Sequence, residues 1–193
     1  MTLLQDRDAR REALLAAADA VVQRDGASAS MAAIAAEAGI TKPILYRHFG
    51  DKGGLYAALT ERHTDRLLEA LTTALRTGAG PRERVHRAVG AYLTVIDAEP
   101  QVYRLLVQSA EAAAIHGQVR GFLRRLQEQL GTGIAAELGL PPDDVRASVW
   151  AAGIVGMVQG AGDWWLEARP CTRTELTDQL TDLLWGAYGA AAG

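Results

Sequence analysis

Residues 30–52 read SMAAIAAEAGITKPILYRHFGDK, and this stretch contains both lysines of a chain whose other strongly basic residues are all arginines. Its apolar residues recur at steps of three and four on either side of Gly39, which is the helical period. The pattern predicts one short helix over 30–38, a turn at 38–40 and a second short helix over 41–48. Glycine suits the left-handed position of such a turn, because a Cβ resists that conformation. Two short helices joined in this way form a helix-turn-helix.

The exposed side of the second helix is expected to carry polar and basic side chains. Its first turn holds Thr41 as a helix cap, Lys42, and Pro43, whose missing N–H costs nothing there. No acidic residue lies from Ala38 to Gly50, so the local charge is positive although the net charge of the chain is -3. A helix fits the major groove of DNA, and its N-terminal residues reach the base edges. The segment therefore predicts DNA binding.

Each of these side chains has a DNA contact that its chemistry favours. Lys42 can donate to guanine, and Pro43 can touch a thymine methyl group. Tyr46 and His48 suit phosphate contacts, which fix the register of a protein on the duplex. Lys52 follows Asp51, which we expect to cap the next helix, so its charge adds to the N–H groups that attract an anion there. A helix pair of this kind that binds no DNA is the alternative interpretation.

Residues 31–59 read MAAIAAEAGITKPILYRHFGDKGGLYAAL and resemble the DNA-binding region of the TetR family of bacterial transcription regulators. The matching features are the A-x-x-A-G-(V/I) turn, the (L/F)-Y-x-(H/Y)-F core and the K-x-x-L that opens the fourth helix, within a similarity over about residues 8–60. The resemblance implies that Ser30 and Thr41 touch phosphate or base and that the partner is a palindromic operator in double-stranded DNA. The predicted DNA-binding residues are Ser30, Thr41, Lys42, Pro43, Tyr46, Arg47, His48 and Lys52.

Two places depart from the family pattern. Ala32 and Ala33 replace larger polar residues that some members use near the groove, so the second helix is expected to add little base reading. Gly53 and Gly54 are expected to weaken the first turn of the fourth helix by about 1 kcal/mol each relative to alanine. We therefore expect that turn to be mobile without DNA.

The rest of the chain shows helical periodicity and no alternating strand pattern, which predicts an all-α fold. About nine helices are expected, over 5–24, 30–38, 41–48, 51–76, 82–97, 101–115, 118–138, 142–166 and 173–190. Prolines are expected at the starts of three of them, at Pro100, Pro142 and Pro170. The glycine-rich cluster at 77–81 is the clearest break. We predict a DNA-binding domain over 1–52, a linking helix over about 51–76 and an effector-binding and dimerisation domain over 77–193.

The second half of the chain is rich in large aromatic side chains, and all four tryptophans lie after residue 149. An effector pocket needs a few polar groups among apolar walls. The candidate ligand-binding residues are Tyr103, Arg104, Val107, Glu111, Phe122, Trp150, Met157, Asp163 and Trp164. Family members that resemble the chain in these late Trp-rich helices respond to fatty-acyl compounds, so we expect a small apolar or acyl-bearing effector. Plain packing of the aromatic rings and surface exposure of the arginine are the alternatives.

Residues 149–165 are apolar or small on nearly every side, and a helix of that kind must be buried on every side. The last predicted helix has a leucine stripe suited to pairing across a two-fold axis. We expect these two helices to form the interface of a homodimer. The predicted interface residues are Trp150, Ile154, Leu176, Leu180, Leu183 and Leu184.

Several other classes of protein are disfavoured. The four histidines lie far apart and match no metal-binding spacing, and no catalytic or nucleotide-binding motif appears. We therefore expect no enzyme activity, no metal and no cofactor. The single cysteine, Cys171, fits a reducing compartment. Because the chain has no apolar run of membrane-spanning length and no secretory signal, the expected location is the cytoplasm, with no membrane partner.

The function that the residues and the resemblance together favour is a repressor that a small hydrophobic effector releases from its operator. A ligand-modulated activator, for example of lipid-metabolism genes, would use the same parts. A helical lipid-binding or scaffold protein without operator binding is the third possibility. Retention on an operator-sized palindrome separates that third possibility from the other two.

Overall fold

The computed structural model describes the backbone of residues 3–108 and 116–192 and the side chains of residues 8–107 and 117–187. Within these residues the chain is helical and contains no strand, which confirms the predicted all-α fold. The helices are α1 (Leu3–Asp25), α2 (Met31–Glu37), α3 (Lys42–Phe49), α4 (Lys52–Thr77), α5 (Pro81–Ala98), α6 (Pro100–Gln108), α7 (His116–Glu137), α8 (Val145–Ala168) and α9 (Arg173–Ala192). None of the described helices combines the length and the apolar character that crossing a bilayer requires.

The starts of α2 and α4 are fixed by side chains that accept backbone hydrogen bonds. The Ser30 hydroxyl accepts from the backbone N–H of Ala33 at 3.2 Å. The Asp51 carboxylate accepts from the backbone N–H of Gly54 at 2.7 Å. Such caps satisfy N–H groups that have no partner inside the helix. The cap at Asp51 agrees with the sequence prediction, and the two caps mark where α2 and α4 begin.

One predicted helix start is wrong, and one proline that was expected at a helix start lies in a loop. The eighth helix begins at Val145 rather than 142, because Asp144 caps it and accepts from the Arg146 backbone N–H at 2.8 Å. Pro142 lies in the turn before this cap. Pro170 lies in the loop after α8, whereas the last helix begins at Arg173 as predicted. The prediction for Pro100 is confirmed, since α6 begins there.

The chain divides into two compact units. The first comprises Met1–Thr64 and Glu99–Arg120, and the second comprises Asp65–Ala98 and Gly121–Gly193. In the first unit α1 packs against α2 and α6, and α2 packs against α3. The centre of this unit consists of aliphatic side chains that are at most 1% exposed, among them Leu15, Val21, Ile34, Leu45, Leu59 and Val102. The helix-turn-helix therefore packs on a hydrophobic core that is closed to solvent.

Residues 99–120 lie in a different compact unit from the one that the predicted domain boundary implies. The prediction assigned them to the effector domain, within 77–193, whereas they belong to the compact unit that contains the helix-turn-helix. The described part of α6 ends at Gln108, and residues 109–115 of the predicted sixth helix lie outside the described residues. The assignment of DNA binding to 1–52 and of effector binding to 77–193 stays a prediction.

The second unit contains the later part of α4, most of α7, and α5, α8 and α9. Within it α5 packs along α9. Its buried residues include Leu93 and Ile96 of α5, Trp165 of α8 and Leu180 of α9. Gly162 lets α8 approach α5 closely, because a Cβ there would lie 2.9 Å from the Ile96 Cδ1 atom. A glycine that would otherwise weaken a helix is therefore used for packing.

Candidate functional site

The turn of the helix-turn-helix has the backbone that the sequence predicts. Gly39 has a φ of 65°, in the left-handed region that glycine adopts without strain. The Ile40 N–H donates to the Ala35 carbonyl at 2.9 Å, and this bond closes the end of α2. Ile34 and Leu45 are at most 1% exposed and bury the inner faces of the two helices. The angle between α2 and α3 is thus fixed by the turn and by the core together.

The outer face of α3 presents the residues predicted to contact DNA. Lys42, Pro43 and Arg47 are exposed, and the Tyr46 side chain is 43% exposed. His48 is half-buried, with its ring centroid 6.3 Å from that of Phe49. Ser30 and Thr41 are exposed at the starts of α2 and α3, and Lys52 is half-buried at the start of α4. The structure thus brings the predicted set to the ends and one face of a single helix pair.

Thr41 differs from its prediction in one respect. It occupies the cap position of α3, but within the described residues its hydroxyl makes no capping hydrogen bond to the helix. Pro43 has no N–H and lies in the first turn, so the helix presents one fewer donor for a cap to satisfy. The predicted role of Thr41 as a side-chain cap is therefore wrong.

The junction of α3 and α4 is held by glycines in a way that the sequence did not reveal. Gly50 ends α3 with a φ of 78°. A Cβ at Gly54 would lie 2.0 Å from the Phe49 carbonyl oxygen, far inside van der Waals contact. The pair Gly53–Gly54 was expected only to weaken the helix, but Gly54 is needed for the close approach of α4 to the end of α3. The signal in the sequence is a glycine at the third helical position after Asp51.

Lys52 has an aromatic neighbour within its own helix. Its Nζ atom lies 5.2 Å from the centroid of the Tyr56 ring, and that ring is buried at 2% exposure. A cation above an aromatic face is attracted by the ring's negative charge density. The contact positions the Lys52 ammonium at the N-terminus of α4, where the helix dipole also attracts an anion.

Acidic residues next to the helix-turn-helix are paired with arginine. The Glu37 carboxylate, at the end of α2, lies 3.1 Å from Arg24, and the Asp25 carboxylate lies 2.8 Å from the same guanidinium. The hydrogen bond to Asp25 and then the bond to Glu37 raise the pKa of Arg24 above its ordinary value. One guanidinium thus partly offsets two carboxylates, and it holds both of them at the end of α1 and α2.

The predicted ligand-binding residues are divided between the two units. Tyr103, Arg104 and Val107 are half-buried on α6 of the first unit. The second unit contains the buried Phe122, the half-buried Trp150, Met157 and Asp163, and Trp164, which is 53% exposed. Glu111 lies outside the described residues. Ligand binding by these residues stays a prediction.

An open groove in the second unit runs along α4. It is lined by Asp65, Leu68, Glu69, Thr72, Thr73, Arg76 and Thr77. None of the predicted ligand-binding residues lines this groove. Its lining combines three threonine hydroxyls and three charged side chains with apolar surface.

The predicted dimer-interface residues have different degrees of burial within the chain. Trp150 and Ile154 are half-buried. Leu176, Leu180 and Leu184 are between 4% and 9% exposed, because α9 packs along α5 of its own unit. Leu183 is 59% exposed and remains available to a partner. The leucine stripe is therefore used largely inside the chain, a role that the sequence interpretation did not foresee.

The exposed apolar surface of the second unit includes residues that the sequence interpretation missed. Val145 is 75% exposed and Val149 is 62% exposed, one turn apart at the start of α8. With Trp164 and Leu183 they are the large apolar side chains of this unit that the described residues expose most. Their spacing of four residues on an otherwise apolar helix was the available signal.

Known protein families and relatives match most of the chain. Residues 14–59 match the model of bacterial regulatory proteins of the tetR family, and residues 70–193 match that of a tetracyclin repressor-like C-terminal domain. The chain is 32% identical over 184 residues to the HTH-type transcriptional activator FasR of Mycolicibacterium smegmatis, covering 93% of this chain and 83% of that protein. It is also 32% identical over 187 residues to an uncharacterized HTH-type transcriptional regulator of Mycobacterium tuberculosis, covering 95% and 79%.

Solved structures agree with these matches. A TetR-like transcriptional regulator from Rhodococcus sp. RHA1 superposes with a TM-score of 0.71 at 28% identity, covering 93% of this chain and 96% of that one. A tetR-family regulator from Streptomyces coelicolor has a TM-score of 0.77 at 23% identity, covering 96% and 82%, and shows the shared fold. The prediction of a regulator rather than an enzyme is confirmed by these relatives. The chain belongs to the TetR family of bacterial DNA-binding transcription regulators.

Proposed function

We propose that this TetR-family regulator is a homodimeric repressor that binds a palindromic operator and is released by a small, apolar or acyl-bearing effector. The observation that carries the proposal is the exposed N-terminal face of α3, with Lys42 and Pro43 leading it and Leu45 buried beneath. This face has no acidic residue. It has the size, direction and charge that insertion into a major groove requires.

The proposed DNA contacts follow from the exposed positions. Lys42 and Pro43 read base edges, with Thr41 beside them, because residues at a helix N-terminus enter the groove first. Tyr46, Arg47 and His48 bind phosphates along the groove edge. Ser30 at the start of α2 and Lys52 at the start of α4 add phosphate contacts on either side. Since phosphate contacts dominate affinity, binding is expected to weaken steeply with salt.

A second copy of the chain is the proposed partner of α8 and α9. Val145, Val149, Trp164 and Leu183 expose apolar surface that a single chain leaves in water. A two-fold dimer covers such surface with the same surface of its mate. For paired reading, the two copies of α3 have to lie about 34–36 Å apart, which is one turn of DNA.

Release by an effector is proposed to act through α4. This helix begins beside α3 and continues into the second unit. An effector that binds better to a form with another spacing of the two recognition helices would lower operator affinity. Coupling free energies of this kind are typically about 1–3 kcal/mol. Because the target is chromosomal DNA, the proposed location is the cytoplasm.

Activation of transcription is the second candidate. It is favoured by one observation, the 32% identity to a relative that is named a transcriptional activator. The same DNA-binding face serves either outcome, since the sign of regulation depends on where the operator lies relative to the promoter. An activator of this kind would likewise respond to a ligand.

The proposal is tested by selecting duplexes from a random pool with the full-length protein. A palindromic site with two half-sites one turn apart is the expected product. Reconstituted transcription from a promoter that carries the selected site then separates repression from activation. Native mass spectrometry of the purified protein identifies any small apolar ligand that it retains. If the selection enriches no sequence over non-specific DNA, the lipid-binding or scaffold alternative is favoured.

A further inference from the structure

Arg11 of α1 lies beside the end of α3, although it is not among the proposed DNA contacts. Its guanidinium carbon is 5.8 Å from the centroid of the Phe49 ring, and Phe49 is the last residue of α3. A guanidinium that lies against an aromatic ring is attracted by the negative charge density of the ring face. The contact therefore keeps the positive charge of Arg11 next to the junction of α3 and α4.

The same junction carries two residues of the proposed DNA-binding set. The ring centroid of His48 lies 6.3 Å from that of Phe49. Lys52 begins α4, and its ammonium lies over the ring of Tyr56. His48 and Lys52 are both proposed phosphate contacts. A phosphate of the same DNA backbone is therefore expected close to the junction, within reach of a side chain as long as that of Arg11.

The ion pair that Arg11 makes with Glu61 is long and exposed. Its nitrogen and oxygen atoms are 3.9 Å apart, and the two side chains are 42% and 66% exposed. Such a pair contributes little to stability, because water screens both charges. Glu12, the next residue of α1, lies 3.3 Å from Arg62 Nε on α4. Arg11 can therefore exchange its carboxylate partner for a DNA phosphate at small cost.

Side-chain bonds fix the position of α1, and with it the backbone of Arg11. Asp19 of α1 accepts from Arg62 Nη1 at 2.8 Å, and its other oxygen lies 2.7 Å from His63 Nε2. Leu15 of α1 is fully buried between these two positions. Arg11 lies about 12 Å before Asp19 along the helix axis. A side chain on a helix that is held in this way loses less freedom on binding than one on a flexible arm.

We propose that Arg11 binds a DNA phosphate next to the phosphates bound by His48 and Lys52. The inference rests on the proposed operator binding. Arginine suits this role, because its planar guanidinium donates two parallel hydrogen bonds to two phosphate oxygens. A contact of this kind positions the protein on the duplex and reads no base. It extends the DNA-binding surface from the helix-turn-helix to α1.

A packing role for Arg11 is the alternative, since its side chain lies against Phe49. The two roles predict different salt dependences of operator binding. A phosphate contact releases condensed counterions, and each one contributes about 0.9 to the slope of log affinity against log salt concentration. Packing within the protein releases none. The salt slope therefore separates a DNA contact from a structural role.

The test measures operator affinity of the full-length protein by fluorescence anisotropy, at salt concentrations from about 0.05 to about 0.2 M. Arg11→Met keeps an unbranched side chain against Phe49 and removes the charge. We expect it to weaken binding about fivefold or more at about 0.1 M salt, and to reduce the salt slope by about 0.9 per half-site. The loss should be alike for the operator and its single-base variants. Arg11→Lys keeps the charge and is expected to keep the wild-type slope.

Arg124→Met on α7 is the matched control, because Arg124 is also exposed and its ion pair with Glu128 is similarly long, at 3.8 Å. It changes the net charge by the same amount and is expected to leave the slope unchanged. A wild-type slope in Arg11→Met, or an equal loss in Arg124→Met, would overturn the inference while leaving operator binding intact. Arg11→Gln replaces Arg11→Met if circular dichroism shows that the latter does not fold. Absence of operator binding by the wild-type protein would instead reject the proposed function.

Discussion

The two compact units expose opposite kinds of side chain. In the first unit the outer face of α3 exposes Lys42, Tyr46 and Arg47 over a sealed core. In the second unit Val149 of α8 and Leu183 of α9 are 62% and 59% exposed. Charged groups are solvated at little cost, whereas large apolar groups gain free energy when a partner covers them. The first surface suits a nucleic acid, and the second suits another copy of the chain.

In the proposed function, DNA reading and dimer formation use separate surfaces on separate units. A single α3 reaches only one half-site, so tight binding depends on the apolar surface of the other unit as much as on the basic one. Linking two half-site contacts raises affinity without any new contact to a base. Changes in either unit should therefore alter operator binding, but by different routes.

The largest expected effect comes from breaking the apolar surface with Leu183→Asp. A carboxylate in the interface must be desolvated, so the dimer is expected to dissociate. Operator affinity should then fall by about 100-fold or more, because the two half-sites are no longer bound together. Sedimentation equilibrium and fluorescence anisotropy measure the two effects. Thr174→Asp, at an exposed position of α9 on the other side of the helix, is the matched control.

The fold of the single chain should survive Leu183→Asp, because the side chain is mostly exposed. A circular dichroism spectrum that stays helical establishes this point. A variant that remains dimeric at micromolar concentration would show that α9 does not take part in the pairing. The exposed apolar surface of the second unit would then need another partner.

The basic surface is tested by changing its two lysines separately. Lys42→Ala is expected to lose about 1–3 kcal/mol of discrimination at one base pair of each half-site, because Lys42 reads a base edge. Lys52→Ala should weaken binding to all sequences alike and reduce the salt slope by about 1. Anisotropy titrations on the selected operator and its single-base variants measure both. If the two variants show the same sequence profile, the division into reading and phosphate contacts is wrong.

The junction between α3 and α4 offers a test of stability. Gly54→Ala is expected to lower the free energy of unfolding by about 1–3 kcal/mol, because the new Cβ would overlap the Phe49 carbonyl oxygen. Gly133→Ala on α7 is the control, since among the described residues no atom lies within 4 Å of its Cβ position. It should raise the free energy of unfolding by up to about 1 kcal/mol. Urea titrations of both proteins give the two values.

Equal stability changes in the two glycine variants would contradict the assigned close approach. A lowered stability confined to Gly54→Ala would locate the strain at the junction. Operator binding by that variant, measured where it is fully folded, then reports whether the placement of α4 alone affects the reading helix.

The smallest expected effect lies at the start of α9. Glu175 accepts from the Thr172 backbone N–H at 2.7 Å, and this bond lowers the pKa of its carboxyl. The stabilisation is therefore present above the ordinary glutamate range and is lost as pH falls through it, at about pH 4. Glu175→Gln should slightly lower the melting temperature at pH 7, with no difference in more acidic solution. A difference that grows towards acid would contradict this cap.

Much of the helix-turn-helix could be predicted because its determinants are local. Ser30, Gly39 and Asp51 act on groups within a few residues, so a cap or a turn can be seen in the sequence itself. The exposed face of α3 could likewise be predicted from the three- and four-residue spacing of its apolar residues. The cap expected of Thr41 failed because residue type alone does not settle whether a hydroxyl bonds to its own helix.

The remaining features depend on residues that are distant in the chain. His63 and Asp19 are 44 positions apart, and no spacing rule connects them. The leucine stripe of α9 indicates burial but not the partner, so Leu180 could be assigned to a dimer although α5 of the same chain covers it. The exposure of Val149 likewise depends on how α8 is placed among its neighbours. The spacing of apolar residues shows which face of a helix is buried, but it does not show which helix or subunit covers that face.

In the proposed function, two copies of α3, paired by symmetry, read two half-sites one helical turn apart. The most direct test is anisotropy on the selected operator and on a version with about 5 base pairs, half a turn, inserted between its half-sites. The insertion turns one half-site to the opposite face of the duplex, so affinity is expected to fall about 100-fold towards the non-specific level. Equal affinity for the two duplexes would contradict paired reading by two recognition helices.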